Sequence, residues 1–528
     1  MGWARAVLGL VAVVATGALL LSGGSGTDPR TPAGLPGEPP PFLGTAVVGN
    51  GGLTAAIDAY GDVVDLRVPG PAGQALIDNP SARQAAGSVP ADTGIVPWVS
   101  LGGHRARPLW TADSVAQRYR PRTNVVVTSV RFGNLRVRIV YAADGSRFAC
   151  LTKADAEARI ELRSSAPAAT RSLRCDDSAA RSIVAAAGQG DRRWLRQARP
   201  LAASAPRWAE QMYERSLLVL HSLTDRRNGA VVAGARDGWA YVWPRDAAAA
   251  ALALAAAGYH QEAEKTTRFL LGLGIEEAAR FHGDGSPVPG RPAQGDAIGW
   301  VAAAAQASGL IGSAKHAARI LSPTYPVPWR NRADYQEGEP GNYLGNAIAA
   351  GADVSEFPRH IEGVSSDTPS RRGLVRRPGD PDSGLDSAAA WAVEPFRRRA
   401  LYPAARSTML ALAEDGGRFG ITPGEDWPGV DPWSAPTAWT AWSLAVLARE
   451  DGLSRQGTTE RRASLRLLAD LRRAATPAGT LPERVDFHTG IPTSTTPLAW
   501  SHAFAILALQ ELWPGRTAST STPSRSRS

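Results

Sequence analysis

The chain has 528 residues, 44% of them apolar and 20% charged, with a formal net charge of +9. That length exceeds one ordinary core and implies two or three domains, and the apolar content excludes a disordered protein. The positive balance comes without finger spacing, an RNA-binding signature or basic stripes interleaved with aromatics. It reads as an Arg-rich solvated surface, and no nucleic-acid partner is expected.

In MGWARAVLGLVAVVATGALLLSGGSG, Arg5 precedes an uncharged apolar run from Ala6 to Leu21, and small residues follow. This order predicts a signal peptide or a membrane anchor over residues 1–27. Either places the protein outside the cell or at the outer face of its membrane, which it would touch only through this segment. Residues 28–43 have the Pro/Gly-rich composition of a linker.

From residue 44 to about 200 the texture is β. TAVVGNGGLTAAIDAYGDVVDLRVPGPAG and TNVVVTSVRFGNLRVRIVYAADGSRFACL alternate short apolar runs with Asn-Gly, Gly-Asp and Gly-Asn turns. Many short strands with frequent turns predict an antiparallel β-sandwich over 44–200. Cys150 and Cys175 are the two cysteines. An even count in an exported chain suggests a disulfide, with two buried thiols as the alternative, and no His stands at metal-ligand spacing from either.

After Ala205 the apolar spacing becomes helical, as in APRWAEQMYERSLLVLHSLTD. Six small-residue helices are then expected to begin near Asp246, Asp296, Tyr343, Asp386, Ser434 and Pro497, each with room for one helix out and one back. Helices apolar nearly all round must be buried, with amphipathic ones such as QEAEKTTRFLLGL and TTERRASLRLLADLRRAA covering them. This predicts an all-α (α/α)6 barrel over 205–514; an open α-solenoid would show a less apolar face and more uniform repeats. The tail over 515–528, GRTASTSTPSRSRS, has nothing to bury and is expected to be disordered.

In such a barrel the starts of the six inner helices share one face. The segments ahead of them supply Trp243, Arg245 and Asp246; Arg291, Gln294 and Asp296; Asp334 and Glu337; Asp382 and Asp386; Asp426, Trp427 and Trp433; and Glu483, His488 and Trp500. Flat rings that stack on pyranose faces, with charged forks that bind paired hydroxyls, suit a sugar site. A plainer reading stands beside it: Asp246, Asp296 and Asp386 stabilise helix starts, and Trp243 packs in the core.

YVWPRDAAAAALAL, LDSAAAWAVEPF, EDWPGVDPWSAPTAWTAWSLAVL and LPERVDFHTGIPTSTTPLAWSHA resemble the glucoamylase-like glycoside hydrolases of family 15, in order from about Ala205 to Leu512. The β region resembles the sandwich domain that bacterial members carry ahead of the barrel. The resemblance implies inverting, exo-acting hydrolysis of α-glucosidic bonds with release of β-glucose. Such chemistry needs two carboxyls about 6.5–9.5 Å apart, one protonating the leaving oxygen and one activating water. The resemblance assigns Glu483 as the general base and Glu337 as the general acid, with Glu339 as the rival for the acid. Trp243, Arg245 and Asp246 would grip the terminal sugar, and Arg291, Gln294, Asp296, Trp427 and Trp433 would line the substrate.

The sequence also departs from the family. Gln336 stands where a Trp precedes the acid, Arg484 where Gln is common, and ITPGEDW (Ile421–Trp427) where many members carry Arg-Tyr-Pro. The linkage therefore stays open among starch-type, trehalose, isomalto-linked and envelope-derived glucosides. The alternative is a catalytically impaired relative that binds glycans at the cell envelope, and a phosphorylase or lyase on the same barrel is a third reading. No cofactor is implied; a structural calcium ion held by loop carbonyls would leave no mark in sequence.

Overall fold

A computed structural model describes residues 34–515, except 78–93, 102–104, 156–157, 165, 167–168, 170, 172, 237, 311–328 and 362–370. The expected signal or anchor segment over 1–27 lies outside the described residues, as do residues 516–528 of the expected tail. Among the described residues no helix is long and apolar enough to cross a membrane.

The N-terminal region is sheet-rich. β1 (Gly44–Gly49), β2 (Thr54–Asp58), β3 (Val63–Val68), β4 (Gln74–Ile77), β5 (Ile95–Leu101), β6 (Arg107–Pro108) and β11 (Ala158–Ser164) form one antiparallel sheet along the order β1-β2-β3-β5-β11, with β4 on β3 and β6 on β5. β7 (Ser114–Tyr119), β8 (Val126–Phe132), β9 (Leu135–Asp144), β10 (Arg147–Ala154) and β12 (Leu173–Cys175) form the other, in the order β12-β10-β9-β8-β7. Alternation explains how they face each other: Val137, Ile139 and Tyr141 of β9 are buried in one core with Val47 and Ile57, while Arg136 and Arg138, pointing to the opposite face, are exposed. The Tyr119 hydroxyl bridges the sheets, accepting from Val47 N and donating to Val47 O, each at 2.8 Å. Cys150 and Cys175 are register partners on β10 and β12 and are disulfide-bonded.

Two expectations for this region need correction. The stretch read as β up to residue 200 ends in α1 (Ser178–Leu195), capped by Asp177, whose Ile183, Val184 and Ala187 cover Val127 and Val140 on the outer face of the second sheet. Its alanines and periodic apolar residues favour helix over strand. The end of the Pro/Gly-rich stretch is tied down: Phe42 is fully buried against Trp110 and donates its N–H to Asp58 at 2.8 Å, and Tyr60 donates to the Pro39 carbonyl.

The helical region contains α2 (Arg207–Leu223), α3 (Pro244–Ala256), α4 (His260–Leu271), α5 (Ala297–Ala307), α6 (Leu344–Ala349), a 3-10 helix (Ser387–Ala392), α7 (Tyr402–Asp415), α8 (Ser434–Asp451), α9 (Arg455–Ala474) and α10 (Ala499–Leu512). α3 packs on α5, α5 on α6, α6 on the 3-10 helix, the 3-10 helix on α8, α8 on α10, and α10 back on α3. These are the six small-residue segments read from the sequence. α8 is buried on every side from Ser434 to Ala448, and small side chains let its neighbours approach closely. Outside them, α2 covers α10, α4 covers α3, α7 covers the 3-10 helix and α9 covers α8. Along α9, Leu467, Leu468, Leu471 and Ala474 face in while its arginines face out.

The third and fourth segments depart from the expected helix pairs. α6 has 6 residues and the fourth segment is a 3-10 helix of 6 residues. Between them stands a three-stranded sheet, β13 (Pro358–Ile361), β14 (Arg371–Arg377) and β15 (Asp380–Leu385), in the order β13-β14-β15. β14 and β15 meet at Gly379, at φ 67°, in a tight turn that sequence spacing alone did not separate from a helix.

Candidate active site

The floor of the site is aromatic. Trp300 of α5, Trp391 of the 3-10 helix, Trp439 of α8, and Trp500 and Phe504 of α10 meet mostly edge to face, with neighbouring centroids 5.2–5.7 Å apart. Such pairs add roughly 0.5–1.5 kcal/mol each beyond burial and fix the starts of the inner segments relative to one another. Above them opens a pocket of about 460 Å³ lined by Trp239, Trp243, Arg245, Asp246, Arg291, Tyr335, Gln336, Glu337, Trp433, Glu483 and Trp500, with Ala233 and Leu498. Every one of these lies at or ahead of a helix start or in the segments leading to it.

α3 begins with Pro244 at its first position, where a missing N–H costs nothing. That start sets Arg245 and Asp246 side by side at the floor. Arg245 lies 4.6 Å from the Trp500 ring centroid and donates from Nη1 to Gln294 and Asp296, each at 2.9 Å. Asp246 has one carboxyl oxygen without a hydrogen bond, 3.5 Å from Arg245 Nη2. Burial pushes its carboxyl up to about 7, against the pull of Arg245, with Asp296 and Glu483 adding repulsion.

The three helix-start carboxylates differ. Asp386 does cap, accepting from Ala388 N at 2.7 Å, and burial raises it to about 7. Asp296 stands at the start of α5 but caps nothing, its carboxylate going to Arg245. Asp246 faces the pocket.

Glu337 sits in a turn closed by its own N–H to Asp334 O at 2.9 Å, with φ at 57°, a strained value for a residue with a side chain. Its Oε1 accepts from Trp243 Nε1 at 3.0 Å, and its Oε2 is paired with Arg291. Beneath it Gln336 donates to Asp386 at 3.0 Å, and the Tyr335 hydroxyl donates to the Pro423 carbonyl at 2.9 Å. Glu339 is exposed and points no group at the pocket; its carbonyl is bonded by Tyr343.

Glu483 is held from both flanks. Its N–H donates to Thr495 O at 2.9 Å and its carbonyl accepts from Ser434 N at 3.0 Å. Two residues upstream, Leu481 N donates to His502 Nε2 at 2.9 Å, and burial depresses His502 to about 3, so this ring stays a neutral acceptor. The Glu483 carboxylate accepts from Trp239 Nε1 at 3.3 Å and from Ser494 Oγ. The two carboxylates thus enter one pocket from different loops, each held by an indole N–H.

The family model described as Glycosyl hydrolases family 15 matches residues 208–273, which contain Trp239, Trp243, Arg245 and Asp246. A bacterial glucoamylase solved in complex with acarbose shares the fold with a TM-score of 0.64 over 92% of this chain and 95% of that one, at 11% identity. The chain thus carries a family 15 match over residues 208–273 and shares its fold with a bacterial glucoamylase. A wild-type glycosidase is similar at 19% identity with a TM-score of 0.44, over 58% of this chain and 96% of that one. The glucoamylase from Saccharomycopsis fibuligera is similar at 14% with a TM-score of 0.45, over 59% and 96%. No curated protein sequence matches the chain.

Of the residues expected at the site, Trp243, Arg245, Asp246, Arg291, Glu337, Trp433, Glu483 and Trp500 line the pocket. Three expected lining residues do not. Gln294 and Asp296 lie behind Arg245, one bridging it to the Asp334 carbonyl and the other neutralising it, because that buried guanidinium needs both acceptors. Trp427 stands outside, edge-on to Trp433 at 4.9 Å. Asp382 and His488, also expected near the helix starts, are on exposed segments outside the lining. Trp239 and Arg376 were not anticipated. Trp239 lies four residues before Trp243, just ahead of the YVWPRD motif, whose position pointed to it; Arg376 comes from β14, where no sheet was expected.

Proposed function

We propose that the protein is an exported, inverting, exo-acting α-glucosidase that releases β-glucose, its helices forming an (α/α)6 barrel over 205–514 behind a β-sandwich over 44–200. The observation that carries this reading is the pair Glu337 and Glu483, facing one pocket from separate loops with an indole N–H on each. Arg245 and Asp246 hold paired hydroxyls of the terminal sugar against Trp500, and the aromatic floor ends the pocket after that residue, which favours attack at a chain end. Protonated Glu337 gives its proton to the glycosidic oxygen as the C1–O bond breaks. Glu483 takes a proton from the water whose oxygen bonds to C1 on the opposite face. Sugar hydroxyls draw Arg291 away from Glu337, allowing it to carry the proton. Export rests on the N-terminal apolar segment, and an oligosaccharide substrate is in keeping with the acarbose bound by the bacterial glucoamylase of like fold.

The Arg291–Glu337 ion pair also favours a second reading, a glycan binder whose acid is permanently neutralised. Glu337→Gln and Glu483→Gln separate the two. A hydrolase loses turnover by roughly 10²-fold or more in each variant while still binding acarbose, measured by calorimetry beside a coupled glucose assay. Acarbose binding with no turnover in any form, wild type included, supports the binder.

A further inference from the structure

The sheet β13–β15 delivers one buried cation to the site. Arg376, on β14, is 9% exposed. Its Nε and Nη2 form a fork on the Asp334 carboxylate, to Oδ2 at 3.0 Å and Oδ1 at 3.1 Å. Its Nη1 donates to Asp426 Oδ2 at 3.2 Å. The guanidinium lies 4.8 Å from the Tyr343 ring centroid, and Nη2 is 3.3 Å from where a Cβ on Gly338 would stand. One side chain therefore touches both ends of the loop that bears Glu337 and also the segment leading to Trp427 and Trp433. That segment, ITPGEDW, contains no cation of its own.

Asp334 is the residue whose carbonyl closes the turn on Glu337, and that turn holds a φ of 57°. Strain of this kind persists only where the surroundings over-determine the backbone. A bidentate fork to a buried carboxylate is a strong and directional restraint of this kind, and a lysine cannot reproduce it. At Gly338 the absence of a side chain leaves room for the guanidinium, which an added Cβ would crowd.

We infer that Arg376 is the positioning residue of the general acid, and that β13–β15 shapes the leaving-group side of the cleft by holding Glu337 and the Trp427–Trp433 pair in register. This rests on the reading of Glu337 as the acid. The consequence is specific to protonation. A sugar alkoxide needs a proton to depart, whereas fluoride leaves with little help while water attacks C1 and Glu483 takes the proton.

The test compares an α-linked glucose disaccharide that the wild type cleaves with α-glucosyl fluoride, in the wild type, Arg376→Lys and Arg376→Met. The expected result is a fall in kcat of at least tenfold on the disaccharide, less than threefold on the fluoride, with the Lys variant between Met and wild type. Should the Met variant not fold, Asp334→Asn beside Arg376→Lys reads the same split. An equal fall on both substrates, with an active wild type, overturns the inference and makes Arg376 a scaffold residue while the hydrolase reading stands. A wild type inactive on both overturns the hydrolase reading, and this inference with it.

Discussion

Burial pushes the Asp246 carboxyl up to about 7 although Arg245 lies beside it and helix α3 starts there. Between about pH 4 and 7 the folded chain keeps a proton on Asp246 that the unfolded chain has lost, so this group's contribution to stability falls as pH rises through that window. Asp246→Asn removes that dependence. Its melting temperature relative to wild type is expected to climb as pH goes from 4 to 8, while KM on a cleaved glucoside rises about tenfold or more at about pH 8, where the wild-type carboxylate is ionised, through the lost charged hydrogen bond. A variant that is less stable at every pH, with KM unchanged, would make Asp246 a packing residue. At this scale the sequence was legible where a motif carries adjacent residues, as in Trp-Pro-Arg-Asp. It misled for Gln294 and Asp296, because spacing places a residue near a site without saying which side of a guanidinium it occupies.

At the scale of elements, close approach between small residues decides stability. Gly299 of α5 packs on α6 so tightly that an added Cβ would overlap the Ala349 carbonyl oxygen, whereas Gly190 of α1 faces open space. Alanine normally improves a helix interior over glycine by about 1 kcal/mol. Gly190→Ala is therefore expected to stabilise by about that amount, and Gly299→Ala to lower the melting temperature despite the same gain in propensity. Equal stabilisation by both would contradict the packing of α5 on α6. The inner segments could be read from sequence because burial on every side demands unbroken small and apolar runs. The sheet β13–β15 could not: Arg371–Leu385 has the length of a helix, and its apolar residues, Leu374, Val375 and Leu385, are too few to establish either period.

Across the whole molecule the sheets and helices share a continuous apolar core, running from Val47 and Tyr141 to Leu217 and Phe504. Asn124 stitches the junction, its amide donating to Gly49 O, Leu218 O and Ser222 Oγ at 2.8–3.1 Å and its carbonyl accepting from Arg215 at 2.8 Å. Scanning calorimetry is expected to show one cooperative transition, and Asn124→Ala to cost roughly 2–4 kcal/mol by leaving buried partners unpaired. Two separate transitions would mean that the regions fold independently. The change from β to helical texture was plain in the sequence, but the junction was not, since the bonds of Asn124 to Arg215, Leu218 and Ser222 reach more than ninety positions along the chain. Among the described residues none that lines the pocket comes from the sheet region, which packs on α2 through β1.

The central claim is tested most directly by proton NMR of the sugar first released from maltose, maltotriose, isomaltose, trehalose and soluble starch, with Glu483→Gln alongside. The account expects β-glucose as the initial product from at least one of them, with α-glucose appearing only by mutarotation, and no release by the variant. Initial α-glucose, or release unchanged in Glu483→Gln, would contradict it.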